Sequence, residues 1–342
     1  MLLCQSITPI ALAATLLAGA CMAQPPHVNF TRYPSGNTFL DLTAGPDGSL
    51  WFLESGAIAR MTTAGVITEF ATPNHGGSIT VGPDGALWFT QWGNPKIYRI
   101  TTDGALTEHS LPCCGGAAAI TTGPDHALWF TESQSNRVGR ITPDGAVTEY
   151  SLPNPDVRAY AIKPGPDGAL WFAESIPHNP GANGLPFINA IGRMSTTGQV
   201  TEYALPPSTV FQGIGSLAAG SDGAMWFTEY YKSCIGRISM TGEVTEYGTT
   251  GPGFPTAITA GPDGALWFLE SSDVDWIRTI GRMTTAGEFT QFEAPVQNIN
   301  GGAITLGPDG ALWFTNAWSL DATIVRVALE PARSTAPRQR RR

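Results

Sequence analysis

The sequence predicts an all-β chain folded as a seven-bladed β-propeller of four-stranded blades, and three observations carry that reading. A variant of Gly-Pro-Asp-Gly-Ala-Leu-Trp-Phe occurs seven times, beginning at Gly45, Gly82, Gly123, Gly165, Gly220, Gly261 and Gly307. The starts lie 37, 41, 42, 55, 41 and 46 residues apart, the period of a propeller blade and too long for a leucine-rich or ankyrin unit. Each copy keeps its tryptophan in register, at Trp51, Trp88, Trp129, Trp171, Trp226, Trp267 and Trp313.

The copy from Ala119 to Pro153 serves as the template for one blade. Ala119-Ile120-Thr121 reads as a short first strand and Gly123-Pro124-Asp125-His126 as a turn. Ala127 to Glu132 is a second strand, whose alternation places Leu128 and Phe130 on one face and Trp129 on the other. Val138 to Thr142 and Ala146 to Tyr150 complete the blade around the turn Pro143-Asp144-Gly145. In the repeated turn, Pro presets φ, Asp accepts from nearby amides and Gly takes the positive-φ place. Asp47, Asp84, Asp125, Asp167, Asp222, Asp263 and Asp309 are therefore turn residues rather than calcium ligands, since further carboxylates are missing from those turns. No helix is expected.

The chain ends bear on closure. The last copy supplies three strands, Ala303 to Thr305, Ala311 to Thr315 and Thr323 to Leu329. Val28-Asn29-Phe30-Thr31-Arg32-Tyr33-Pro34 matches the fourth-strand pattern of Val147 to Pro153, so the N-terminal strand is expected to complete the last blade and close the ring. The propeller then covers residues 28–329.

Residues 1–23 read as a secretory signal. An apolar stretch from Thr8 to Ala20 is too short to span a bilayer as a helix and ends in small residues, although no positive charge precedes it. Cleavage after Ala20 and lipidation of Cys21 both fit, so the mature protein is expected in the periplasm or secreted, with membrane attachment through Cys21 as one form. Residues 330–342 form an arginine-rich tail, expected to be disordered. Five arginines lie in the last eleven residues, and removing their charge from the net −9 leaves −14 on the rest. An acidic body argues against nucleic acid as a partner. Export permits a disulfide; Cys113 and Cys114 are adjacent, so a bridge from one of them to Cys234 is the better pairing, and the spacing fits no zinc site.

Function is expected on the face where the copies disagree. The longest departures are Ser175 to Ala190, with His178, and Ser271 to Thr279, with Trp276. A glutamate recurs two residues after the Trp-Phe phenylalanine, at Glu54, Glu132, Glu174, Glu229 and Glu270, and recurrence suggests a scaffold role, each bonding amides of a neighbouring loop. Gln91 and Asn316 break the series and are followed by Trp92 and Trp318, while blade 5 offers Tyr230 and Tyr231. These residues suggest an aromatic mouth with amide groups, suited to a flat or cyclic organic ligand or a sugar.

The unit Ile-Thr-x-Gly-Pro-Asp-Gly-Ala-Leu-Trp-Phe-Thr-Glu, followed by Asn-x-x-Gly-Arg-Ile-Thr and Gly-x-Val-Thr-Glu-Tyr-x-Leu-Pro, as in 120–153, closely resembles that of the virginiamycin B lyase (streptogramin lyase) family over about residues 28–329. The resemblance implies a monomeric propeller and a magnesium-dependent carbon-oxygen lyase that opens a cyclic depsipeptide antibiotic by elimination. A base would remove the proton α to a carbonyl while the cation stabilises enolate-like charge. It also implies a Tyr and two His two positions before the first-strand aliphatic of particular blades. Here those places hold Leu40, Thr256 and Gly302, and the glutamate after the last Trp-Phe is replaced by Asn316. Tyr160 is the one aromatic at the two-before position, in a different blade, and His75 sits four residues before Ile79. His75 and Tyr160 are thus the candidate catalytic residues of a displaced site. Two readings follow: a binding propeller for a small molecule or cyclic peptide, with lyase activity lost, or an active lyase using magnesium at a displaced site. A gluconolactonase-type calcium enzyme shares only the propeller.

Overall fold

The computed structural model describes residues 25–330 except 36–37, 73–76, 113–115, 133, 176–188, 207–212, 252, 272–278, 297–298, 300–301 and 317–321. The expected signal segment, the arginine tail, Cys113, Cys114, His75, His178, Trp276 and Trp318 lie outside the described residues.

Short alternating segments separated by Gly-containing turns produce antiparallel strands in chain order. The first is β1 (His27–Pro34). Blade 1 holds β2 (Phe39–Ala44), β3 (Leu50–Glu54), β4 (Ala57–Met61) and β5 (Ile67–Ala71); blade 2 holds β6 (Ile79–Val81), β7 (Leu87–Thr90), β8 (Lys96–Ile100) and β9 (Leu106–Ser110). Blade 3 holds β10 (Ile120–Thr122), β11 (Leu128–Glu132), β12 (Arg137–Ile141) and β13 (Val147–Ser151). Blade 4 holds β14 (Arg158–Pro164), β15 (Leu170–Ser175), β16 (Asn189–Met194) and β17 (Val200–Ala204). Blade 5 holds β18 (Ile214–Ala219), β19 (Met225–Glu229), β20 (Cys234–Ile238) and β21 (Val244–Gly248). Blade 6 holds β22 (Phe254–Ala260), β23 (Leu266–Ser271), β24 (Thr279–Met283) and β25 (Phe289–Glu293). Blade 7 holds β26 (Ile304–Leu306), β27 (Leu312–Asn316) and β28 (Thr323–Glu330).

These form seven four-stranded sheets. In six of them the strands follow chain order; in the seventh the order is β1-β28-β27-β26. Strand β1 runs antiparallel to β28 from His27 opposite Glu330 to Pro34 opposite Thr323. The N-terminal strand therefore completes the last blade, as the sequence implies. Among the described residues the one helical element is a 3-10 turn, Tyr230–Lys232, ended by Ser233 at φ 52°.

The repeat explains the packing. The tryptophan of each second strand is fully buried and stacks on the aromatic ring of its own blade's fourth strand, with centroids 5.1 to 5.7 Å apart. In blade 2 that ring is His109, and in blade 7 it is Tyr33 from β1. The same tryptophans pack into the next blade: Trp51 joins Ile79, Leu87 and Phe89, and Trp313 joins Phe39 and Phe52, so blade 7 is packed against blade 1.

The repeated Asp does more than cap a turn. Its Oδ1 accepts from the indole Nε1 of the blade's tryptophan at 2.9 to 3.1 Å. Its Oδ2 lies 2.6 to 2.7 Å from the Nε of a third-strand arginine. The first glycine of each repeat is required by close approach, because a Cβ there would stand 2.3 to 2.6 Å from the tryptophan Cδ1. The predicted positive-φ place is confirmed in the third copy by its exception, His126 at φ 57°.

Candidate functional site

First strands begin, and second strands end, on the face opposite the repeated turns, so the axis of the ring is walled by the first strands of all seven blades. A cavity of about 730 Å³ lies there, within the range of small-molecule sites. The ring of positions two before the inward first-strand aliphatic forms much of its wall: Leu40, Gly77, Ala118, Tyr160, Gly215, Thr256 and Gly302 all line it. Strands β2, β14, β18 and β22 each carry a register shift at this level, between Phe39 and Asp41, Ala159 and Ile162, Ile214 and Leu217, and Pro255 and Ile258. Bulges of this kind re-aim side chains, and here they fall beside Leu40, Tyr160, Gly215 and Thr256.

Four of the residues singled out from the sequence meet at this cavity. Trp92, Tyr160, Tyr230 and Tyr231 line it, with Trp92 77%, Tyr160 40% and Tyr231 50% exposed. Tyr230 and Tyr231 pack edge to face, centroids 4.6 Å apart, and Phe254 lies 5.0 Å from Tyr230. Gln91 and Asn316 are fully buried and do not reach the cavity wall. Gln91 Oε1 accepts from Asn94 Nδ2 at 3.2 Å, whereas neither polar side-chain atom of Asn316 has a partner among the described residues. His109 is part of the packing, with its basicity lowered by burial and then by Arg99.

Two charged residues of the wall escaped the sequence reading, and a third was read there only as scaffold. Asp41 occupies a place held by Ala or Ser in the other copies, four before the repeat glycine. Its Oδ2 accepts from Ser78 Oγ and the Ile79 amide, both at 2.9 Å, which ties blade 1 to blade 2. Burial pushes its carboxyl up, opposed by the charge of Lys163 and by these hydrogen bonds. Lys163 stands where most copies have Thr and also lines the cavity. For both, the signal was a break in the repeat on the first strand. The third is Glu174. Of the recurring glutamates it alone lines the cavity among the described residues.

Nor does the scaffold expectation hold for every glutamate. Glu270 Oε2 accepts from Gln291 Nε2 at 2.6 Å and Thr279 Oγ1 at 2.9 Å, side chains rather than loop amides. Both Glu174 carboxylate oxygens are buried without a hydrogen-bond partner among the described residues. Burial first, and the nearby Glu202 second, push its pKa up to about 8.

The magnesium implied by the resemblance needs hard oxygen donors. Among the described residues no three Asp, Glu, His or Cys side chains come together as a metal site. The place corresponding to a carboxylate in the last blade holds the amide Asn316. The described residues do not fit that metal, and no step is derived through it. Cys234, buried at the start of β20, is disulfide-bonded; its partner lies outside the described residues.

A closed seven-bladed propeller with a ligand-sized axial cavity, aromatic at its mouth, defines the class of this protein. The profile of the virginiamycin B lyase family matches residues 27–182 and 185–333, and the chain belongs to that family. A streptogramin B lyase structure is 31% identical with a TM-score of 0.75, over 89% of this chain and 98% of its own. The selenomethionine-substituted virginiamycin B lyase from Staphylococcus aureus is 32% identical with a TM-score of 0.76, over 89% and 100%. A catalytically inactive variant of the S. aureus enzyme, crystallised with quinupristin, superposes with a TM-score of 0.75 at 32% identity, over 89% and 100%. Among curated protein sequences, none matches the chain.

Proposed function

We propose that the protein is an exported binding propeller on the streptogramin lyase scaffold, holding a small or cyclic organic ligand at its axial cavity without the family's elimination chemistry. The observation that carries this reading is Gly302. Its φ is +152°, and a Cβ there would stand 2.1 Å from the Thr315 carbonyl oxygen, so the local backbone leaves no room for the imidazole that the resemblance gives to this place. Thr256 fills the other histidine place with a hydroxyl too weakly basic to remove a carbon-bound proton. The aromatic wall remains, and rings with a polar tip suit a ligand that keeps one side wet.

Export rests on the N-terminal segment, and a lipid on Cys21 would place the cavity at a membrane surface. The test is to incubate the purified protein with quinupristin and magnesium chloride and follow the linear product by mass. No product above buffer is expected, together with saturable quenching of the aromatic fluorescence. Turnover would overturn the proposal and point instead to a displaced site at His75 and Tyr160, with His75→Ala as the deciding variant. A Trp92→Ala protein with unaltered affinity would remove this face from the binding reading.

A further inference from the structure

Comparison of the blades singles out the acidic pair of blade 4, whose second-strand glutamate is the one that lines the cavity among the described residues. The recurring glutamate at the end of the second strand has a carboxylate neighbour on the fourth strand in several blades, and in blades 3 and 5 that pair is compensated from within the protein. In blade 3, Arg137 Nη1 holds Glu149 at 2.8 Å beside Glu132. In blade 5, Lys232 Nζ lies 2.5 Å from Glu246 and 3.6 Å from Glu229. In blade 6, the second carboxylate is replaced by Gln291, whose amide donates to Glu270. Blades 1 and 4 both keep two acids, Glu54 with Glu69 and Glu174 with Glu202, and place Ala57 and Ala190 opposite the second-strand glutamate where blade 3 has Arg137. Glu54 accepts from Ser35 Oγ at 3.1 Å, whereas neither oxygen of Glu174 has a partner among the described residues. The sequence between β15 and β16, and between β17 and β18, contains no lysine or arginine.

The surroundings point to an external donor. Glu174 is 1% exposed, both its oxygens lack a partner among the described residues, and it lines the cavity. Its strand partner is Ala159, and the next residue is Tyr160, in the bulge and on the same wall. Tyr230 and Tyr231 line that cavity too. A buried carboxylate sharing a cavity with tyrosine rings is chemistry that recognises an organic ammonium, by a charge-assisted hydrogen bond together with cation–π attraction.

We propose that the acidic pair of blade 4 anchors the ammonium group of a ligand, so that the cavity takes an amine carried on an aromatic or apolar body. This deepens the binding reading and rests on it. Without ligand, a proton neutralises Glu174. On binding, the carboxyl proton leaves to solvent and the carboxylate accepts an N–H of the ammonium, so charge is conserved. Among the described residues, Arg158 donates to the carbonyls of Pro155 and Val157, and Lys232 is held by Glu229 and Glu246. Lys163 is exposed on the same wall, where its charge is felt by Asp41, and His178 lies outside the described residues. Glu202 adds negative potential beside Glu174.

The test is calorimetric titration of the purified protein with 2-phenylethylamine and with its neutral counterpart 2-phenylethanol, at pH 6 and pH 8. The amine should bind about tenfold or more tighter than the alcohol at pH 8, and its affinity should rise from pH 6 to pH 8. Glu174→Gln should abolish both the preference and the rise while leaving the alcohol bound as before. Equal affinity for amine and alcohol would overturn the ammonium assignment and leave the cavity reading standing. No binding of either at millimolar concentration would overturn both. Displacement of the amine by micromolar magnesium chloride would reassign the pair to a metal and likewise overturn the inference.

Discussion

A buried acid that keeps its proton has a measurable signature, and Glu174 is the residue where it should be largest. Its pKa stands at about 8 against an ordinary 4.5, through burial and then Glu202. Below 4.5 the folded and unfolded chains both hold the proton. Between 4.5 and 8 the unfolded chain releases it while the folded chain does not, so the contribution to stability is lost as pH rises through that window. Glu229, raised to about 7 by burial and Glu246 against the pull of Lys232, acts with the same sign. Thermal midpoints of the wild type should fall from pH 5 to pH 8, and Glu174→Gln should fall less. Parallel slopes in the two proteins would show that Glu174 titrates normally. Nothing in the sequence sets Glu174 apart from Glu132 or Glu229, because what distinguishes it is a place on the cavity wall with both oxygens unpartnered among the described residues, which only the folded strands reveal. Tyr160, Trp92 and the Tyr230-Tyr231 pair were legible, since each breaks the repeat in its own right. Asp41 and Lys163 break it too, but on a strand that reads as core, where only the bulged geometry of the first strands reveals a cavity wall.

At the scale of the element, the repeated motif is one connected device rather than a turn followed by a strand. The aspartate joins the turn, the second-strand tryptophan and the third-strand arginine, so three segments of a blade share one carboxylate. Burial alone would raise the carboxyl of Asp263, but the hydrogen bonds from Trp267 and Arg282 outweigh it and hold the group below its ordinary value. The same balance lowers Asp84, Asp125, Asp167, Asp222 and Asp309. Stability from these groups is present above the ordinary carboxylate range and is lost as pH falls through their folded pKa values. With the opposite trend from Glu174, the protein should be most stable at mildly acidic pH. Asp263→Ala should cost about 1–3 kcal/mol by leaving the indole N–H and guanidinium without their acceptor. Gly123→Ala should cost a similar ~1–3 kcal/mol by overpacking, since its Cβ would meet Trp129 Cδ1 at 2.4 Å. Chemical denaturation at pH 5 measures both, and a change under about 0.5 kcal/mol, the size of an ordinary surface substitution, would deny the motif this role. The turn half of the device was readable from Pro-Asp-Gly. The arginine link was not, because the Asp-to-Arg separation varies from blade to blade with the length of the intervening loop.

For the whole molecule the decisive contact is the one that joins the two ends of the chain. The last blade reaches four strands only if another segment supplies its outer strand, and here β1 does so along its full length from His27 to Pro34. The same strand brings Tyr33 to stack on Trp313 at 5.4 Å, and Trp313 belongs to the cluster that packs blade 7 against blade 1. Removing β1 therefore does two things at once: it exposes the edge of β28 from Thr323 to Glu330, and it uncovers the tryptophan at the closing interface. A chain beginning at Ser35 should elute as soluble oligomers or aggregate, because an unpaired apolar edge templates strand addition. Supplying a peptide of residues 25–35 in trans should restore a monomer by refilling the edge. Tyr33→Ala in the full chain separates the two effects: the edge stays paired, so the protein should remain monomeric and lose only the stacking, about 0.5–1.5 kcal/mol beyond the buried area. A truncated chain that stays monomeric with an unchanged thermal midpoint would mean that packing between blades, rather than completion of the seventh sheet, is what closes the ring.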